Sequence, residues 1–310
     1  MKRPRHNLDY PHRRQGMDHD LYDWSMLPAR PPVHWPGGAH LAVWPVVVVE
    51  WFPLTSRNTP FRPPSDQYVG VRPYPDYRAY THLEYGNRVG IYRVLRALEL
   101  AGLHASVAIN AAIAERYPEI IDAVVGGGHE VIAHGLDMEH VHHGDLPRAE
   151  ERTWVRQTLK TLRVATGQPV KGWLSPDLSQ SMNTFDLLAA EGVDYVCDWV
   201  NDDLPYALRT NSGSIHAMPF AYELSDRLVL LDLRQSEAQF DQQIRDTHSV
   251  LLREAAQYGG RIMALTFHAW ITGHPHRIGY FEDMLAWLQK SESTWSATGA
   301  KILAAFKDQG

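Results

Sequence analysis

Short apolar runs alternate along this chain with longer segments whose apolar positions recur at helical spacing. Residues 40–51 form the most apolar segment, and Val46-Val47-Val48-Val49 reads as a central strand buried on both faces. It ends in Glu50 and is broken by Trp51-Phe52-Pro53. Tyr85-Gly86-Asn87-Arg88-Val89-Gly90 opens a helix carried on by Tyr92, Leu95, Leu98 and Leu100 and stopped by Gly102. A second strand over 104–110 ends in Asn110, and a helix over 111–125, with Pro118 near a turn, leads to a third strand that ends at His134-Gly135. That β, α, β, α, β succession predicts parallel strands with helices outside. The pattern continues with a helix over 146–166 and a strand over 170–174 ending at Ser175-Pro176-Asp177. A helix over 184–191 follows, with Asn183 at its start and Gly192 at its stop. Strands are predicted at 193–197, 215–218 and 261–267, and helices at 238–258, 278–290 and 294–307.

Residues 1–39 carry Pro, Arg, His and aromatic positions with no period, and read as an irregular arm whose Tyr22, Trp24, Leu27 and Trp35 call for burial. It is expected to lie across the barrel or a neighbouring subunit. Residues 40–310 are expected to form one α/β domain, and the Pro-, Arg- and Tyr-rich stretch 54–83 a long functional loop. A net charge of -6 and the lack of a basic run interleaved with aromatics exclude a nucleic-acid surface. The single cysteine, Cys197, rules out a disulfide within the chain and a thiolate metal cluster, which favours the cytoplasm. With no stretch near the ~20 apolar residues of a membrane span, and no apolar core of a signal peptide, the chain is expected to be free of the membrane.

In parallel α/β folds, side chains at the carboxyl ends of strands converge on one mouth. Five predicted strands end in Glu50, Asn110, His134, Asp198 and His268, groups suited to acid, base or ligand work. Asp137, Trp199 and Trp270 lie just past three of those ends and are expected beside a substrate. Arg88 begins a helix, where a cation opposes the macrodipole, so it reads either as a salt bridge or as a guanidinium for a substrate carbonyl or carboxylate. His140, His142 and His143 lack the spacing of a helical metal pair and read as exposed loop histidines. A G-x-S-x-G elbow, a phosphate loop and a G-x-G-x-x-G are absent.

Together, Tyr85-Gly86-Asn87-Arg88-Val89-Gly90, Gly128-His129-Glu130-Val131-Ile132-Ala133-His134-Gly135, the run Asp198 to Tyr206, and Phe267-His268 resemble the polysaccharide deacetylase (NodB-homology) superfamily. Within it they resemble the metal-independent branch of allantoinases and cyclic-imide hydrolases. The resemblance implies a single-domain deformed (β/α) barrel with fewer than eight repeats, hydrolysis of a non-peptide C–N bond, and a homo-oligomer. Metal-dependent members end strand one in two acids and carry H-(S/T)-x-x-H. Here Val48 or Val49 stands in place of one acid and Met138 in place of the second histidine. Gly172-Trp173-Leu174-Ser175-Pro176 occupies the R-x-P segment without its arginine, a task that Arg88 is then expected to take.

The leading expectation is a cytoplasmic amidohydrolase acting on a small cyclic amide, imide or ureide, or on a linear amide of similar size. Glu50 is its general base, His134 and His268 its acid or oxyanion donors, Asp198 a further catalytic group, and Arg88 and Asn110 orient carbonyls. No cofactor is expected; should zinc bind, Glu50 and His134 are its ligands. The alternatives are a zinc-dependent N-deacetylase of a carbohydrate or acetylated amine, and a catalytically inactive barrel that binds a small molecule.

Overall fold

A computed structural model describes residues 19, 21–54 and 77–309. Of the expected loop at 54–83, residues 55–76 lie outside the described residues, as does most of the arm before residue 21. The described strands form one curled sheet in the order β6-β7-β5-β4-β3-β2-β1-β8, with β9 also on β1. These are β1 (Leu41–Val49), β2 (Ser106–Ile109), β3 (Glu130–Ala133), β4 (Gly172–Trp173), β5 (Tyr195–Val196), β6 (Tyr206–Thr210), β7 (Gly213–Ala217), β8 (Arg261–His268) and β9 (Thr294–Ser296). All pairings are parallel except β6 with β7. The fold is the expected deformed barrel, a sheet curled part of the way round. A lone parallel bridge, Ser225 to Thr266, ties the chain after β7 back to β8.

β1 shows how the sequence fixes the two faces. Leu41, Val43, Val47 and Val49 join the core between sheet and helices, while Ala42, Trp44, Val46 and Val48 join a second core inside the barrel. The same alternation holds in β2, β3 and β8, where Ala108, Ile132, Ile262 and Ala264 face inward. Both faces are apolar, so the run reads as continuously hydrophobic. The inward parity carries on past the strand ends to Glu50, Asn110, His134 and His268.

The helices are α1 (Tyr77–Tyr85), α2 (Ile91–Ala101), α3 (Ala111–Arg116), α4 (Pro118–Gly126), α5 (Arg148–Thr166), α6 (Thr184–Ala190), α7 (Glu237–Tyr258), α8 (Ala269–Thr272), α9 (Ile278–Gln289) and α10 (Gly299–Lys307). Pro118 divides the expected 111–125 helix in two, because its ring starts a helix and cannot continue one. The 294–307 segment is a short strand before α10; its Thr294-Trp295-Ser296 pairs with Leu41 to Val43. The β6/β7 hairpin carries little apolar alternation on its outer face and has no counterpart in the expected strands for 206–210. Where the arm is described, Trp35 is buried and donates Nε1 to Arg261 O at 3.0 Å, and Tyr22 packs on Trp199 and Tyr206. Trp24, by contrast, is 64% exposed. No described helix is long and apolar enough to cross a membrane.

Candidate active site

Strand register sets the site. Val49, Ile109 and Ala133 are matched across β1, β2 and β3, so the next residues, Glu50, Asn110 and His134, stand in one row at the mouth. Val48 is matched to His268 on β8, which brings Trp270 level with Glu50. All five side chains are buried.

Glu50 Oε2 accepts from Trp270 Nε1 at 2.6 Å, and its Oε1 faces His134 Nε2 at 3.9 Å. Burial alone raises a carboxyl, but His134, His268 and Arg227 together overcome this and hold Glu50 at about 2, so it is ionised throughout the neutral range. His134 Nδ1 lies 2.7 Å from Leu174 O. A carbonyl only accepts, so Nδ1 carries a proton and the ring turns its Nε2 edge toward Glu50. That Nε2 is buried and has no partner among the described residues. Gly135, at φ 69°, turns the chain sharply after His134; a Cβ there would meet Pro176 Cγ at 2.5 Å.

His268 completes the row from the other side. Its Nδ1 donates to Asp226 Oδ1 at 2.7 Å, and its backbone N–H donates to Asp226 Oδ2 at 2.8 Å. Thr272 Oγ1 donates to the same Oδ2, so Asp226, fully buried, fixes the orientation of the ring. The pair leaves His268 Nε2 as the free end.

The helix over 77–101 is shaped to serve this row. Its π-helical stretch, Gly86–Gly90, lies directly against 268–273: a Cβ on Gly86 would meet Trp270 N at 2.7 Å, and one on Gly90 would meet Ala269 O at 2.0 Å. The close approach lets Asn87 Nδ2 donate to Glu50 O at 2.9 Å. Since α1 runs through this stretch into α2, Arg88 is not at a helix start, and it is exposed to solvent. Its expected place at the substrate is corrected: Asn87 turns inward and Arg88 outward.

The guanidinium of the site is the half-buried Arg227, two residues past the Ser225 bridge, which the sequence pattern does not single out. Its Nη2 donates to Asp177 Oδ1 at 3.0 Å. Glu50, Asp177 and Asp232 overcome the effect of burial and raise Arg227 above its ordinary value, so it is always charged.

Other expected site residues are placed otherwise. Asn110 accepts from Trp51 N at 2.7 Å and donates Nδ2 to His134 O, so its amide ties the ends of β1 and β3 together instead of meeting substrate. Asp198 lies on the outward parity of β5 and accepts from Ser175 N at 2.7 Å and Ser175 Oγ at 2.8 Å, one layer behind His134. Burial pushes it from 3.8 to about 6, against the lowering by Ser175, His142 and His134. Asp137 accepts from His140 Nδ1 at 2.6 Å and from two backbone N–H groups, closing its own turn. Trp199 donates to Gln180 and packs on Tyr22 and Phe185, on the arm side. Trp270 holds Glu50 and is only 2% exposed. His143 is exposed as expected, but His142 is buried, with Nδ1 2.9 Å from Glu151 Oε1.

Residues 76–196 match the polysaccharide deacetylase family. A Schizosaccharomyces pombe protein whose name assigns it to the polysaccharide deacetylases is 22% identical over 262 residues, 77% of this chain and 80% of that protein. A solved Pseudomonas aeruginosa structure of the same family name is 26% identical with a TM-score of 0.77, over 90% of this chain and 95% of the other. The solved structure of Puue allantoinase has a TM-score of 0.81 at 24% identity, over 97% of this chain and 98% of the other, a likeness of fold.

A metal centre of the kind found in metal-dependent polysaccharide deacetylases does not fit these residues. Val48 and Val49 are buried and apolar where a second acid is needed, and Met138 is buried where a second histidine is needed. Glu50 and His134 remain as two donors, with Glu50 Oε2 committed to Trp270 and His134 Nδ1 to Leu174. Among the described residues, no group of three or more His, Cys, Asp or Glu is placed to hold a metal ion.

Proposed function

We propose that this polysaccharide deacetylase-family chain hydrolyses a non-peptide C–N bond in a small cyclic amide, imide or ureide. The observation that carries the reading is the facing pair Glu50 Oε1 and His134 Nε2, 3.9 Å apart and buried. The two atoms stand beyond direct hydrogen-bond reach of each other, and a water molecule held between them that donates a hydrogen to the Glu50 carboxylate keeps an oxygen lone pair for a carbonyl carbon.

In the reaction that follows from this, the water oxygen bonds to the scissile carbonyl carbon while Glu50 takes one of its protons. The carbonyl π-electrons move onto oxygen. As the tetrahedral species collapses, the C–N bond breaks and the protonated His268 gives its Nε2 proton to the leaving nitrogen. The products are a carboxylic acid and an N–H; ionisation of the acid and exchange with solvent return Glu50 and His268 to their starting states.

The test is a panel of succinimide, hydantoin and dihydropyrimidine substrates with wild type and Glu50→Gln. Ring opening by wild type and none by the variant is the expected result; no ring opening of any member contradicts the reading. The family match carries a second reading, N-deacetylation of a carbohydrate or acetylated amine, tested by acetate release from N-acetylglucosamine oligomers.

A further inference from the structure

The pair Arg227–Asp177 crosses the mouth. Asp177 follows the end of β4, while Arg227 follows Ser225, which bridges β8 at Thr266. Between β4 and β8 in the sheet stand β3, β2 and β1, the strands that end in His134, Asn110 and Glu50. The 3.0 Å contact therefore joins the segments that flank the row, and the Arg227 charge lies near enough to Glu50 to lower its carboxyl. The arrangement is held against a backbone cost: Asp177 and Leu178 adopt φ of 55° and 53°, a left-handed conformation that L residues avoid and that accumulates at ligand clamps. Asp226, the next residue to Arg227, anchors His268, so one short segment sets both the acid and the guanidinium.

Only one N–H of Arg227 is engaged among the described residues, by Asp177, and the side chain is 19% exposed. A guanidinium presents five N–H donors in a planar fork suited to a carbonyl or carboxylate oxygen. Glu50, the nearby carboxylate, is held instead by Trp270 Nε1.

We propose that Arg227, oriented by Asp177, is the specificity-determining anchor of this site. It takes an acceptor oxygen of the substrate other than the scissile carbonyl, so the chain selects molecules with a second carbonyl or a carboxylate near the C–N bond. This rests on the C–N hydrolase reading and narrows its substrate class: imides and ureides present a second carbonyl, and a simple acetamido group does not.

The experiment measures KM and kcat for succinimide, hydantoin and N-acetylglucosamine, together with calorimetric binding of succinamate, the ring-opened product of succinimide. Wild type, Arg227→Gln, Arg227→Lys and Asp177→Asn are compared, with circular dichroism as the check of folding. Arg227→Gln is expected to raise KM for the imide or ureide and weaken succinamate binding about 10- to 100-fold, the range for one charge-assisted hydrogen bond. A smaller change in kcat, partial recovery in Arg227→Lys and an intermediate loss in Asp177→Asn complete the expected result. Unchanged KM and unchanged succinamate binding in a folded Arg227→Gln overturn the anchor while leaving the hydrolase reading in place. Turnover of N-acetylglucosamine alone overturns the hydrolase reading; Arg227-dependent succinamate binding then still supports the anchor. Wild type that neither opens the rings nor binds succinamate overturns both.

Discussion

Glu50 and Trp270 meet side by side at the mouth of the barrel, indole Nε1 donating to carboxylate Oε2 at 2.6 Å. The register of β1 on β8 brings them level, and the glycines of the π-helical stretch press the backbone of Trp270 into place. One carboxylate oxygen is thereby fixed, and the other is left to face His134. Trp270→Phe removes the bond but keeps most of the ring volume. It is expected to lower kcat by about tenfold, the effect of one charge-assisted hydrogen bond, with little change in melting temperature; steady-state kinetics beside a thermal melt checks this. Unaltered kcat contradicts an orienting role.

Asp226 and His268 are read as one unit. Asp226→Asn and His268→Gln are each expected to reduce kcat by about 10²- to 10⁴-fold, and the double variant by no more than the worse single one. Multiplying losses in the double variant contradict the shared task.

Asp198 gives a pH signature of stability. Its carboxyl is raised from 3.8 to about 6, mainly by burial, so the native chain holds this proton more tightly than the unfolded chain does. The stabilisation is complete below about pH 4 and is lost as pH rises through about 6. Denaturant unfolding across this range is expected to show wild type losing about 3 kcal/mol relative to Asp198→Asn. A difference that does not change with pH contradicts this assignment.

Two glycines in helical segments separate packing from propensity. Gly90→Ala places a Cβ 2.0 Å from Ala269 O and is expected to destabilise by about 1–3 kcal/mol or more, and to reduce activity by displacing Asn87 from Glu50 O. Gly279, in α9, has nothing within 4 Å of a Cβ, so Gly279→Ala is expected to add about 0.4–1 kcal/mol. Chemical denaturation of both variants measures the contrast.

The order of elements and the row of strand ends could be read from the chain because parallel strands buried on both faces leave an apolar run that stops abruptly, as at Glu50 and His134. Alternation within the run carried more than was taken from it. Counting inward positions from Ala42 reaches Glu50, whereas counting from Tyr195 and Cys197 passes over Asp198, which explains why Asp198 stands behind the row. Arg227 and Asp226 lie in the π-helical stretch Arg227–Asp232 and its lead-in, after a hairpin and a lone bridge, where no periodic pattern marks a strand end. In the sequence, Arg88 draws the substrate-anchoring role because a cation near a helix start is unfavourably placed. Only the packing of Gly86 and Gly90 reveals that the helix runs straight through and turns Arg88 to solvent.

The central claim is that Glu50 and His134 activate water with the donors this chain itself supplies. The most direct measurement is succinimide and hydantoin ring opening by wild type and Glu50→Gln after exhaustive chelation, with metal content determined on the same samples. The account predicts full turnover in chelated wild type, no more than about 0.1–1% of it in the variant, and metal far below one ion per chain. Loss of turnover on chelation that zinc restores, or substantial turnover in Glu50→Gln, contradicts it.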